Sequence, residues 1–197
     1  DEYVDDALAV IARAQQDQAP RPFAAMGVSL GGHVLLRVLE EGAPLNAAVL
    51  QVPLCDVRTR PWPAPVARFF AKTATAMGLG DLPAPGQPAI DIKAVVSRIP
   101  PSSQMEAARA FLEANPQTLT DTVTIRWADA MFRSIDQTRD PELLAKIKVP
   151  VLLVAADQDQ ICDSAACQEV ASHIPQAEFM TIQGDHFLFT QAQATRQ

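Results

Sequence analysis

Metal ligands are scarce in this chain. Three cysteines (Cys55, Cys162, Cys167) and three histidines (His33, His173, His186) are scattered over 197 residues without metal-type spacing, so neither a metal nor a cofactor is expected. The odd cysteine count points to reduced, partly buried thiols. Positive charge is short as well. Sixteen Lys and Arg against 23 Asp and Glu leave a formal charge of −7, which argues against nucleic acid as a partner. It leaves room for a local basic patch facing an anionic lipid surface. No apolar run approaches the roughly 20 residues of a membrane span, and no repeat or low-complexity tract occurs. The opening Asp1-Glu2-Tyr3-Val4-Asp5-Asp6 has neither an initiator methionine nor a signal peptide, and it reads as the interior of a gene product. What is plentiful is hydrophobic side chain, 48% of the residues. That suits one domain, or one domain with an inserted subdomain.

The most informative run is Gly27-Val28-Ser29-Leu30-Gly31-Gly32. It fits G-x-S-x-G, in which a serine sits on a sharp turn between a strand and a helix. Pro22 to Met26 reads as the buried strand before it. His33 to Glu41 carries helical periodicity after it and stops at Gly42. Glycines at 27 and 31 are expected because side chains two residues either side of a strained serine would collide. The plainer reading is a glycine-rich αβ turn whose serine caps the helix.

Val4, Leu8 and Ile11 predict an amphipathic helix over about the first sixteen residues. A second strand is expected over Ala47–Val52, making a βαβ unit and a parallel sheet. From about Asp56 prolines crowd the chain and helical stretches replace strands. Val66, Phe69, Phe70 and Met77 form one apolar face; Gln104 to Ala114 and Thr120 to about Ile135 form further helices, the latter with Ile125, Ala128, Met131 and Phe132 on one side. Such stripes are expected to be core rather than lipid-binding surface. The sheet resumes in Val149–Ala155, an apolar run suited to a strand buried on both faces. A helix capped by Asp163 or Ser164 runs to about His173, Ala177–Ile182 makes a last strand, and a terminal helix follows His186.

An elbow serine needs a base to take its proton and an acid to orient that base. Ser29, Asp159 and His186 occur in that chain order, each just past a strand's C-terminal end, where catalytic groups of open parallel sheets collect. Asp157 is the rival acid. Asp185 is poorly placed to orient its neighbour's ring, and Asp163 caps a helix. His33 is read as packing or surface, and His173 as a helix-end residue.

With these residues in hand, the chain resembles the α/β-hydrolase superfamily, and within it the lysophospholipase L2 and monoacylglycerol lipase-like group, also called serine aminopeptidase S33. Asp1–Asp6, Val49–Pro53, Met105–Arg109, Glu113–Pro116, Val149–Leu153 and Gly184–Phe189 carry the likeness along with the elbow. Val28 and Leu30 depart from the His and Met that often flank the serine in this group. The resemblance implies an α/β fold with a mostly parallel sheet and an inserted all-helical cap. Residues 1–55 would be core with the elbow, 56–140 a cap or lid, and 141–197 core with acid and histidine.

It also implies a serine hydrolase cleaving a carboxylic ester of a lysophospholipid or monoacylglycerol through an acyl-enzyme. Ser29 would be the nucleophile, Asp159 the acid and His186 the base. The Leu30 N–H would be one oxyanion donor, and Phe69, Phe70, Trp127 and Phe132 would be walls for the acyl chain. The expected partner is a small-molecule lipid ester, with transient contact at a membrane surface, and the expected location is cytoplasmic or peripheral at the inner membrane. Alternatives are a peptidase removing N-terminal proline, a general carboxylesterase, and an inactive fragment. The last arises because no His-Gly motif precedes Ser29 to supply a second oxyanion donor; the first strands are expected to be missing and the elbow strand's edge exposed.

Overall fold

In the computed structural model, which describes residues 2–17, 21–86, 103–115 and 122–188, the elements run α1 (Glu2–Asp17), β1 (Ala24–Val28), α2 (Leu30–Glu40), β2 (Ala47–Gln51), α3 (Ala64–Ala76), α4 (Ser103–Ala114), α5 (Ile125–Thr138), α6 (Pro141–Leu144), β3 (Val151–Ala156), α7 (Ser164–His173) and β4 (Ala177–Ile182). They fall into two compact units. One comprises Asp1–Arg58 with Ser134–His186, and the other Thr59–Arg133 with Phe187–Gln197.

The first unit holds one sheet in the order β1-β2-β3-β4, and every neighbouring pair is parallel. Parallel neighbours need a long crossover. The apolar stripe of α2 provides it between β1 and β2, and α7 provides it between β3 and β4. Register follows burial: Ala48 lies beside Val151 and Leu50 beside Leu153, and all four are buried. They meet Leu35, Leu36, Val38 and Leu39 of α2 and Ala166, Cys167, Val170 and Ala171 of α7 in a single cluster that Val4 of α1 also joins. Each large aliphatic side chain fully withdrawn from water there contributes about 1.5–3 kcal/mol. Among the described residues β1 pairs only with β2, and its Met26 is 60% exposed.

Boundaries differ from expectation in one informative place. The elbow strand is Ala24–Val28 rather than Pro22–Met26, because Gly27 and Val28 continue the ladder against Leu50 and Gln51. The turn is therefore confined to Ser29, and α2 starts immediately after it. Asp163 is the cap of α7, its carboxylate accepting from the Ala165 N–H. Gly42, at φ 77°, follows α2.

In the second unit Pro65 enters the first turn of α3, where its missing N–H costs nothing. Thr124 opens α5 by accepting the Trp127 N–H on its hydroxyl, so this helix begins later than expected; Thr120 and Asp121 lie outside the described residues, as does the segment after Leu188 where a terminal helix is expected. A small core joins Ala71, Ala74 and Ile125, with Phe132 packed against it. The expectation that the Val66, Phe69, Phe70 and Met77 stripe is core is overturned: those side chains are 46%, 72%, 46% and 71% exposed. The reason lies one face round the helix, where two alanines spaced i, i+3 allow close approach to Ile125. No described helix is long and apolar enough to cross a membrane.

Candidate active site

The site begins with a backbone strain. Ser29 sits at φ 54°, ψ −118° between β1 and α2, a region that costs a non-glycine residue of order 1–3 kcal/mol and persists only where surroundings enforce it. They do. The Ser29 N–H donates to the Gln51 carbonyl at 3.0 Å, and the Ser29 carbonyl accepts from the N–H groups of His33 (3.1 Å) and Leu54 (3.2 Å). A Cβ on Gly27 would lie 2.4 Å from the Gly31 carbonyl oxygen, so this glycine is obligatory. The expectation for Gly31 is corrected, since a Cβ there would meet nothing within 4 Å. The second crowded position is Gly32, whose Cβ would stand 3.0 Å from Pro53 Cβ and 3.2 Å from the Gly27 carbonyl. The turn is wedged from the segment just past β2 as well as from its own strand.

From this turn the Ser29 hydroxyl lies 2.9 Å from His186 Nε2, and His186 Nδ1 lies 2.8 Å from Asp159 Oδ2. Asp159 and His186 are 3% and 6% exposed. An ionised Asp159 can only accept, so Nδ1 carries the proton and Nε2 is left to accept from Ser29. Burial by itself would push the Asp159 carboxyl up. The hydrogen bond from His186 and those from the N–H groups of Ile161 and Cys162 outweigh it and hold the carboxyl below its usual range. Asp157, the rival acid, is exposed, and its carboxylate accepts from the Gly184 N–H at 2.8 Å. Together with the bond from Gln158 N–H to the Gly184 carbonyl, it zips the loop after β3 to the loop after β4. One aspartate thus faces the histidine while the other fixes the loop on which that histidine rides.

His33 is packing, one of the two roles expected of it, and it packs through two specific hydrogen bonds. It is 2% exposed; Nδ1 lies 3.0 Å from the Leu54 carbonyl and Nε2 2.8 Å from Ser134 Oγ. Nδ1 therefore donates to a carbonyl and Nε2 accepts from a hydroxyl. This second Ser–His pair has no carboxylate behind it, so it lacks the group that would stabilise an imidazolium. Its effect is structural: His33 holds Leu54, whose N–H holds the Ser29 carbonyl. Sequence spacing gives no hint of Leu54 or Ser134.

Burial lowers the His33 pKa from 6.5 to about 4, partly offset by the Leu54 bond and reinforced by Arg37. The folded state thus resists a proton that the unfolded chain accepts, and stability is complete above pH 6.5 and falls as pH drops towards 4. The gap corresponds to roughly 3 kcal/mol. Glu40, raised by burial to about 7 against the pull of Arg37, acts in the opposite sense, stabilising less as pH rises from 4.5 to 7. The expected result is therefore a difference: urea denaturation of wild type should lose about 3 kcal/mol more than His33→Gln between pH 7 and 4. Equal losses would contradict the buried neutral imidazole.

Leu30 opens α2, so its N–H is among the first-turn donors without an intrahelical acceptor. The expected acyl-chain residues all lie in the second unit. Phe69 and Phe70 are exposed on α3, Trp127 is half-buried on α5, and Phe132 joins the small core with the Arg68 guanidinium 4.8 Å from its ring centroid. The cysteines are free and buried, as reduced thiols. They are less scattered than the sequence suggests, for Cys162 comes to the side of Asp159 and His186.

A parallel sheet with crossover helices and a strained serine at a strand's C-terminal end define an α/β-hydrolase. The chain belongs to the serine aminopeptidase S33 family, whose model matches residues 1–186. Its fold is similar to that of a monoacylglycerol lipase from Paleococcus ferrophilus, at 18% identity and TM-score 0.65 over 98% of this chain and 70% of that one. It is also similar to a soluble variant of monoglyceride lipase from Saccharomyces cerevisiae, solved with a substrate analogue, at 16% identity and TM-score 0.68 over 97% and 64%. A thermostable carboxyl esterase from Bacillus coagulans follows at 14% identity and TM-score 0.58 over 92% and 62%. The chain thus spans between 62% and 70% of these proteins. No curated protein matches it significantly.

Proposed function

We propose that the protein is a serine ester hydrolase acting on a lipid ester, a lysophospholipid or monoacylglycerol, through Ser29, His186 and Asp159. The observation that carries this reading is the unbroken relay from the Asp159 carboxylate through both nitrogens of His186 to a serine held at positive φ. His186 Nε2 takes the hydroxyl proton as Ser29 Oγ attacks the ester carbonyl, and Asp159 holds Nδ1–H and stabilises the imidazolium. The oxyanion draws on the Leu30 N–H at the positive end of α2. Collapse expels the alcohol, which leaves with the proton from His186. Water, activated by the same nitrogen, then releases the acid and frees Ser29.

Residues 1–55 and 141–197 would supply the hydrolase core, and 56–140 an acyl-binding lid to which Phe69, Phe70, Trp127 and Phe132 contribute apolar surface. The exposed Val66, Phe69 and Met77 suit transient contact with a membrane surface from the cytoplasm. The family's description as a serine aminopeptidase favours a second reading, removal of N-terminal proline. Rates on glycerol esters of rising acyl length, set against proline amides, separate the two. The lipid reading expects kcat/KM to climb with chain length and proline amides to stay intact; preferred cleavage of proline amides would overturn it.

A further inference from the structure

We propose that Asp159, Cys162 and His186 form a binding site for a thiophilic divalent cation, Zn²⁺ or Cd²⁺, which silences the enzyme when it binds. One carboxylate oxygen, one imidazole nitrogen and the Cys162 sulfur all lie within 4.8 Å of one another, and all three residues are buried. Sequence separation hides this cluster, because β4 returns His186 to the loop that follows β3.

The cysteine is not on a free strand of chain. Its N–H donates to Asp159 Oδ1 at 2.8 Å, and it bridges to Val57 in antiparallel fashion. Flanking it, the Arg58 N–H donates to the Ile161 carbonyl (2.8 Å) and the Asp163 N–H to the Asp56 carbonyl (3.0 Å). The donor set is mixed S, N and O, the combination Zn²⁺ accepts with three protein ligands and one open position. Thiolate ligation selects such ions over Mg²⁺ and Ca²⁺. Zn–S near 2.3 Å and Zn–N and Zn–O near 2.0–2.2 Å place tetrahedral ligands about 3.3–3.8 Å apart, so the trio closes on an ion by modest side-chain rotation.

Binding uses up what the relay needs. The Cys162 thiol releases its proton to solvent and its sulfur lone pair goes to the ion. The ion also takes a carboxylate oxygen and an imidazole nitrogen, so either the bond between Asp159 and His186 or that between His186 and Ser29 is lost. Binding stands on the geometry alone; the silencing rests on the reading of His186 as base, and the experiment keeps the two apart.

The intact, reduced, chelator-treated protein is titrated with Cd²⁺ alone, following the ultraviolet thiolate-to-cadmium charge-transfer band. Wild type should show a saturable band at one ion per chain. Cys162→Ser and Cys162→Ala should each bind at least about tenfold more weakly, and Cys55→Ala and Cys167→Ala should keep the band. No band in wild type, or an undiminished band in both Cys162 variants, overturns the proposal. Ester hydrolysis is then measured against Zn²⁺, each variant relative to its own metal-free rate. Wild type should be inhibited at least about tenfold more strongly than the Cys162 variants. A normal Cd²⁺ band without inhibition would keep the binding site and instead defeat the assignment of His186 as base.

Discussion

Asp159→Asn is expected to lower kcat for ester hydrolysis by about 10⁴-fold while leaving the fold in place. The amide can still accept the Ile161 and Cys162 N–H groups through its oxygen, as Asp159 Oδ1 does now. What it then offers His186 is an N–H rather than an acceptor. The ring must turn its unprotonated Nδ1 towards that donor, which places the proton on Nε2, where it blocks transfer from Ser29. Because binding of the ester does not involve Asp159, the loss should fall on kcat with KM nearly unchanged. Asp157→Asn is the control. Its contact is the Gly184 N–H, which an amide oxygen also satisfies, so kcat should stay within a fewfold of wild type. A large kcat loss in Asp157→Asn and none in Asp159→Asn would exchange the two acids.

The second large effect is on stability. Gly27→Ala places a methyl carbon 2.4 Å from the Gly31 carbonyl oxygen and 2.7 Å from Gly32 Cα. Both neighbours are backbone in the first turn of α2, so neither can swing aside. Relief requires moving α2 off β1, and with it Leu35, Leu36, Val38 and Leu39 from the core. The expected cost is about 3 kcal/mol or more, read as a fall in the urea midpoint. Gly31→Ala, by contrast, enters open space in a helix, where alanine is preferred to glycine by up to about 1 kcal/mol. It should match or exceed wild type. Equal midpoints for the two variants would contradict the packing of the elbow.

The contrast between those glycines separates what neighbours along the chain dictate from what only the folded sheet brings together. The G-x-S-x-G run located the turn because its glycine requirement is local, set by the residues next to Ser29. Which later glycine is crowded depends on Pro53, just past β2, a neighbour that only the sheet brings near. Strand and helix types were legible from apolar periodicity, and the order Ser29, Asp159, His186 from strand ends. The same logic reaches the packing of His33 but not its partners, Leu54 and Ser134, which lie 21 and 101 residues away. The place of Cys162 is hidden for the same reason: spacing along the chain says little about residues that parallel strands deliver to one edge. Periodicity identifies the apolar face of α3 without saying whether anything covers it, and here the alanine face is the buried one.

Ser29, and not the better-buried Ser134, is the proposed nucleophile. Reaction of the intact protein with a fluorophosphonate, followed by mass spectrometry of its peptides, tests this directly. The adduct should sit on Ser29, persist in Ser134→Ala and vanish in Ser29→Ala together with ester cleavage. An adduct on Ser134, or full cleavage retained by Ser29→Ala, would contradict it.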